Sequence, residues 1–305
     1  MLQTLKKVIA KPEKIIYGLE QKGLLDWLSD KTYLRIIYRL IFKRKLHLEQ
    51  PVSFTEKLTW YKLYWRNQLA QTCTDKYQVR EYVTEKIGAD YLIDCYGCWD
   101  SFDEIDFSKL PDQFVLKTTN GSANVVICMD KSTFDFEKAK KRLNIYSKRH
   151  FSSRTKEWNY YNLPNRIIAE RLLIGEDNAS LNDYKFFCFH GKPEFLLVCT
   201  ERDKGLKLTF FDMDWNYIPV RCGYDSNPKV QKPEHFAELV EVAKKLSENF
   251  PQVRVDLYDE GGKVYFGELT FYHYGVTTKF EPDEWDYTFG KYFNLTDIPE
   301  SQRIG

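Results

Sequence analysis

The chain has 305 residues, 43% of them apolar and 29% charged, with a formal net charge of +1. That composition excludes a disordered or fibrous chain and gives no general case for nucleic-acid binding, and the length suits one large domain or two. With no apolar stretch near the roughly 20 residues of a spanning helix, no long apolar leader, and seven cysteines at irregular spacing, the expectation is a cytoplasmic protein with free thiols.

Charge is uneven along the sequence. Residues 1–50 carry eleven Lys and Arg against five acids. Among these bases Tyr33, Leu34, Ile37, Leu40 and Ile41 recur at helical spacing, which predicts a basic amphipathic helix. Its apolar stripe suits either a protein core or an anionic membrane surface. Ser53-Phe54-Thr55-Glu56 has the form of a capping box and opens a further helix carrying Trp60, Tyr61, Tyr64 and Trp65. Those aromatics suit a core or stacking on a sugar. Residues 1–70 thus read as a helical region.

A helix over 75–87, closed by Gly88, is followed by short strands predicted over 91–93 and 114–117. Cys95-Tyr96-Gly97-Cys98 is a single CxxC; a structural zinc needs a second ligand pair, none lies near in sequence, and plain structural thiols are expected. Lys117 ends its strand and precedes Thr118-Thr119-Asn120-Gly121-Ser122-Ala123-Asn124, a small-residue loop that returns as the strand Val125–Cys128. Such a loop can bring backbone N–H groups to phosphate oxygens while the lysine adds a point charge; an ordinary surface hairpin has the same pattern. A helix over 134–149 comes next. Strands are then predicted over Ile167–Glu170, 184–190, 194–199 and 208–212, with a turn at Gly191-Lys192. Glu170-Arg171-Leu172-Leu173 passes from strand into a loop containing Gly175-Glu176. Asp183 and Lys185 share one strand face with Phe187, while Phe186 and Cys188 take the other. Asp212-Met213-Asp214 matches the DxD of metal-dependent glycosyltransferases but sits in an expected turn.

After a helix over 233–249, two strand-like runs, 253–258 and 264–270, flank Gly261-Gly262 and predict a β-hairpin. If it is symmetric about Gly262, Asp256 faces Glu268 and Arg254 faces Thr270. Opposed carboxylates repel, and a hard divalent cation between them removes that cost; Mg²⁺ is commonly held by one or two carboxylates plus substrate phosphates. The alternative is a solvated pair on an outward face. Helices with mostly hairpin-connected strands indicate an α+β architecture.

In order, strand-Lys, small-residue hairpin, strand-Glu hinge, Asp-x-Lys strand, Arg-x-Asp and Glu-x-Thr resemble the ATP-grasp superfamily. The similarity is closest to its teichuronopeptide-biosynthesis (TupA-like) branch. It is carried by Ser53 to Leu58, Asp75-Lys76-Tyr77, Trp99-Asp100-Ser101-Phe102, Asp183 to Phe189, Val253 to Tyr258 and Gly267 to Tyr272, and covers roughly residues 50–290.

The resemblance implies an ATP-grasp fold, two α+β subdomains holding ATP between them, with a helical N-terminal region. The divisions expected are 1–70 for that region, 71–170 for the lid subdomain and 171–305 for the subdomain carrying the metal hairpin. It implies ATP and Mg²⁺ as cofactors and activation of a carboxylate as an acylphosphate that an amine attacks. By motif, Lys117 contacts the α- and β-phosphates, and Asn120, Gly121 and Ser122 belong to the loop over them. Glu170, Leu172 and Leu173 face adenine, and Glu176 the ribose. Lys185 reaches the terminal phosphates, Asp256 and Glu268 hold Mg²⁺ with the Thr270 hydroxyl able to contact metal or phosphate, and Arg254 steadies the acylphosphate. Many superfamily members have Asn where Thr270 stands, and many begin with an α/β substrate domain where this chain reads as helical. His273, expected to be a packing residue, and Tyr274 follow the metal strand. The implied function is a carboxylate–amine ligase of surface-polysaccharide assembly. Its substrates would be a small-molecule or lipid-linked glycan and an amine or amino acid, with residues 1–50 able to touch the inner membrane face. A phosphotransferase acting on a glycan or lipid head group, and a non-catalytic binding subunit, are the alternatives.

Overall fold

A computed structural model describes residues 13–20, 22–121, 124–147, 155–175 and 180–304. Two antiparallel sheets organise it. The first has four strands in the order β1–β4–β2–β3, formed by Cys95–Trp99 (β1), Phe114–Thr118 (β2), Val125–Cys128 (β3) and Ile167–Glu170 (β4). The second has six, in the order β10–β9–β5–β6–β7–β8: Asp183–Phe189 (β5), Lys192–Thr200 (β6), Lys207–Asp212 (β7), Tyr217–Ile218 (β8), Gln252–Glu260 (β9) and Lys263–Thr270 (β10). The mixture of helices and antiparallel sheets is α+β, as expected.

Alternation along β5 explains how the larger sheet is covered. Phe186 and Cys188 point to one helix, Phe236–Ser247, where Phe186 meets Phe236 and the Cys188 thiol lies over Ala243. That helix buries Leu239, Val242, Ala243 and Leu246 on one stripe. Phe187 and Phe189 point the other way and pack edge-on against Phe54, at the start of the helix Phe54–Tyr64. A capping box formed by Ser53 and Glu56 starts that helix, satisfying donors at both ends of its first turn. By the same period of two, Lys185 and Asp183 lie on this second face, beside the buried Phe187 and Phe189.

The helices Asp30–Phe42, Phe54–Tyr64, Gln68–Thr74 and Val79–Ile87 share one hydrophobic core with the six-stranded sheet. Tyr33, Leu34, Ile37 and Ile41 face that core, and Tyr61 stacks on Trp65 within it. The four-stranded sheet has a separate small core with the helix Phe136–Ser147. Among the described residues no helix is long and apolar enough to cross a membrane.

Two expectations are corrected. Residues 91–93 are not a strand: Ala89–Tyr91 is a 3-10 turn, and Ile93 is simply a buried anchor. The strand lies slightly later, at Cys95–Trp99, on the sheet edge, where its cysteines are free and half-buried. The helix expected from residue 75 is regular only over Val79–Ile87, because the Asp75 carboxylate accepts from the Tyr77 and Gln78 N–H groups and caps the turn before it.

Candidate active site

The hairpin of β9 and β10 sets the geometry. Its turn uses both Gly261 and Gly262, at φ of 59° and 84°, a conformation that costs glycine little. The strands therefore leave the turn centred between the two glycines, with Val264 facing Asp259 and Phe266 facing Leu257. Continued in that frame, Glu268 would face Val255. A bulge between Phe266 and Glu268 shifts the register by one, so Glu268 faces Asp256 and Thr270 faces Arg254. The expected pairing holds, but a bulge and not a symmetric turn produces it. Gly267 makes room for the bulge: a β-carbon there would sit 2.9 Å from the Asp256 carbonyl oxygen.

Next to β9 lies β5, with Lys185 opposite Asp256. Lys185, Asp256 and Glu268 thus form a row across three adjacent strands, with Arg254 one pleat away. Arg254 donates to Asp256 through Nε at 2.6 Å and Nη2 at 2.7 Å, and also reaches Glu268 at 3.3 Å and Thr270 at 3.0 Å. Lys185 pairs with Asp183 at 2.7 Å and with Asp256, and Arg202 also pairs with Asp183. Burial pushes the Asp256 carboxyl up, but the charges of Arg254 and Lys185 outweigh it and hold it below its ordinary range. Burial likewise opposes the charge on Lys185, and Asp183 with Asp256 overcomes it. Three carboxylates and three cations interlock here. The repulsion that suggested a metal is thereby offset by the protein's own side chains.

His273 does more than pack. It is buried with its edge against Phe187, and Arg254 Nη1 lies 3.0 Å from its Nδ1. Burial, then the Arg254 charge, holds its pKa far below the ordinary value. The ring is neutral, and Nδ1 accepts from the guanidinium.

On the other sheet, Lys117 donates to Glu170 at 2.7 Å and Arg80 approaches the same carboxylate at 3.6 Å. The two are diagonal neighbours on one sheet face, since Glu170 lies opposite Val115 in the β2–β4 ladder. Lys76 donates to the carbonyl of Gly121 at 2.7 Å, and Thr118 Oγ1 donates to that of Asn120. Burial lowers the Lys76 pKa, while Glu268, Lys117, Asp75 and Glu170 all lie within its electrostatic reach. Lys76 is thus fixed on the Gly121 carbonyl and feels the charge of both clusters. The segment joining the sheets carries Leu172 and Leu173, half-buried, and is fixed by Arg171 to Glu260 at 2.8 Å and by Ile174 N–H to Glu260 at 3.0 Å.

The structure thus brings Lys185, Arg254, Asp256, Glu268 and Thr270 into one cluster and Lys117, Asn120, Gly121 and Glu170 into a second. Ser122 and Glu176 lie outside the described residues. Nothing in the residues taken alone points to a site role for Lys76, Arg80 or Arg202, and His273 reads as a packing residue before a pocket-shaping one. Asp75-Lys76-Tyr77 did stand out as a motif, but its proximity to Glu268 is a tertiary fact. Asp212 accepts from the N–H groups of Asp214 and Asn216, so the DxD match is a turn between β7 and β8.

Among the described residues no group of three or more His, Cys, Asp or Glu side chains is arranged to hold a metal ion; a hard divalent cation here would rest on one or two carboxylates plus phosphate oxygens. Glu268 is the accessible carboxylate, its side chain 40% exposed, whereas Asp256 is committed to Arg254 and Lys185. Because the cluster is charge-balanced, phosphate oxygens arriving beside it need a cation brought with them. Asp183 Oδ1 is buried and without a hydrogen-bond partner among the described residues.

Solved structures resemble this chain only at low identity and low TM-score. A D-alanine–D-alanine ligase from Bacillus anthracis complexed with ATP is 13% identical, with 68% of this chain and 57% of that chain covered and a TM-score of 0.42. The Helicobacter pylori D-alanine–D-alanine ligase is 13% identical over 73% and 63%, TM-score 0.39. N5-carboxyaminoimidazole synthetase from Staphylococcus aureus complexed with ADP is 13% identical over 65% and 43%, TM-score 0.38. This chain thus spans about 43–63% of these proteins' lengths. No curated protein matches its sequence. The profile of the TupA-like ATP-grasp family, by contrast, matches residues 56–294, which takes in both sheets and both charged clusters, and the chain belongs to that family.

Proposed function

We propose that this protein is a Mg·ATP-dependent carboxylate–amine ligase. The observation that carries the proposal is the row Lys185–Asp256–Glu268 across three strands, with Arg254 beside it. A substrate carboxylate oxygen attacks the γ-phosphorus of ATP, the bond to the β–γ bridging oxygen breaks, and ADP leaves. The amine nitrogen then attacks the acyl carbon, and phosphate leaves as the amide forms and the amine proton is released.

Phosphoryl transfer calls for positioning and charge neutralisation more than covalent help. Lys117 and the loop beginning at Asn120 and Gly121 hold the α- and β-phosphates, Lys185 meets the terminal phosphate, and Arg254 steadies charge at the acyl carbon. Glu170 with the backbone at Leu172 and Leu173 faces adenine. Asp256 and Glu268, with the Thr270 hydroxyl beside them, would hold Mg²⁺, which when bound neutralises the phosphates.

Family likeness further supports cell-surface polysaccharide assembly, with an amino acid or amine joined to a uronic-acid carboxylate. A lipid-linked glycan and the basic residues 1–50 would place the work at the cytoplasmic membrane face, with no role for nucleic acid. The test is phosphate release from ATP across a panel of uronic acids and amino acids, with mass spectrometry of products. Release that needs both partners and yields an amide supports the ligase; phosphorylated sugar without amide excludes it.

A further inference from the structure

A cavity of about 1060 Å³ runs from Lys185, Arg254 and Glu268 to a wall on the helices Glu13–Glu20 and Asp30–Phe42. Seven tyrosines line it. Tyrosine joins an aromatic face to a hydroxyl, a combination matched to rings that carry both C–H and O–H groups, although the Tyr38 hydroxyl is already bonded to Thr55 and Arg44. Its polar end is formed by Lys62, Glu157, Tyr272 and Gly275. Lys62, 3% exposed, donates to the Gly275 carbonyl at 2.8 Å and lies over the Tyr272 ring. Glu157 presses on the same glycine, its Oε1 3.1 Å from where a β-carbon would stand. The Tyr272 hydroxyl, on a residue only 2% exposed, has no hydrogen-bond partner among the described residues. A buried hydroxyl without a partner is costly, and Tyr272 is among the residues lining a cavity large enough to bring one.

We infer that this cavity is the site of the carboxylate substrate, that Tyr272 and Lys62 contact its hydroxyl groups, and that the ligand is a hydroxylated ring acid and not a free amino acid. An ammonium donor, a carboxylate acceptor and a phenol that does both suit hydroxyl groups, while the cations at the far end suit an anion. Burial brings the Lys62 pKa down to about 8 against the opposing charge of Glu157, so near neutral pH it is still a donor. The inference rests on the ligase proposal for the identity of the reacting end, and it assigns to the N-terminal helices the wall that an α/β substrate domain would otherwise supply.

The test is calorimetric binding of D-glucuronate and, separately, of ADP to the full chain and to Tyr272→Phe, with Lys62→Met as a second variant. Tyr272→Phe removes one oxygen that has no partner, so folding is spared. The expected result is a D-glucuronate Kd raised about tenfold, with the ADP Kd within about twofold and a larger loss for Lys62→Met. Equal D-glucuronate binding by both proteins, loss of ADP binding in parallel, or no binding of D-glucuronate to the unmodified chain overturns it. Tyr272-dependent binding by a protein that makes no amide supports the site and sinks the ligase. Amide formation by Tyr272→Phe with unchanged KM for the acid does the reverse.

Discussion

On the four-stranded sheet a single carboxylate, Glu170, is shared by Lys117 and Arg80, with Lys76 close by, above a core of ten buried residues. On the six-stranded sheet three carboxylates interlock with three cations above the main core, which that sheet shares with the N-terminal helices. The first cluster has cations to spare and is built to attract an anion. The second is balanced and over-connected, and is built to keep groups in register. One ATP-binding protein needs both: loose positive charge to receive phosphates, and a fixed lattice to align the reacting atoms.

The sharpest way to break this comparison is Arg254→Met. It leaves Asp256 buried with Lys185 as its one remaining cation, so a loss of about 3–5 kcal/mol in unfolding free energy is expected in urea titrations. Lys117→Met should behave oppositely. It removes one cation from the buried Glu170, which keeps Arg80 at 3.6 Å, and the lysine itself is partly exposed, so the stability loss is expected to be smaller than for Arg254→Met, while turnover falls on the order of 10²-fold through lost phosphate stabilisation. If the two variants lose stability equally, the clusters do not differ as described.

Gly267→Ala tests the bulge. A methyl group against the Asp256 carbonyl must displace backbone, at a cost of about 1–3 kcal/mol, and should lower activity more than its stability loss alone explains, because Glu268 leaves register with Asp256. Full activity with lowered Tm would show that register is not what matters.

The smallest effect concerns His273. The unfolded chain protonates this ring near pH 6.5, while the folded chain keeps it neutral. Below pH 6.5 the unfolded state therefore binds the extra proton, and stability falls with falling pH by at most about 1.4 kcal/mol per unit until the folded pKa is reached. His273→Asn keeps an acceptor for Arg254 and removes that slope. Parallel pH profiles for the two proteins between about pH 5 and 6.5 would contradict the buried neutral ring.

Much of this was legible in the residues themselves. Val125–Cys128 and Ile167–Glu170 are strands at the expected bounds, because short apolar runs bounded by polar residues leave few alternatives. Cys95–Trp99 was not, since Cys-Tyr-Gly-Cys-Trp lacks an alternating apolar face and lies on a sheet edge. Tyr91, Leu92 and Ile93 look β-prone one by one, yet Asp90 and a tight turn win locally. The pairing of Asp256 with Glu268 was readable from spacing, but the bulge behind it was not, because one glycine in a strand does not announce which way the register moves. The bond between Arg254 and His273, and the approach of Lys76 to Glu268, are tertiary and leave no local trace.

The most direct test of the central claim is a crystal structure of the protein with Mg²⁺ and a non-hydrolysable ATP analogue. The expected result places adenine beside Glu170 and Leu172–173, the phosphates between Lys117 and Lys185, and the metal on Glu268 and Asp256. A nucleotide bound elsewhere, or phosphates that reach one charged cluster and not the other, would contradict it.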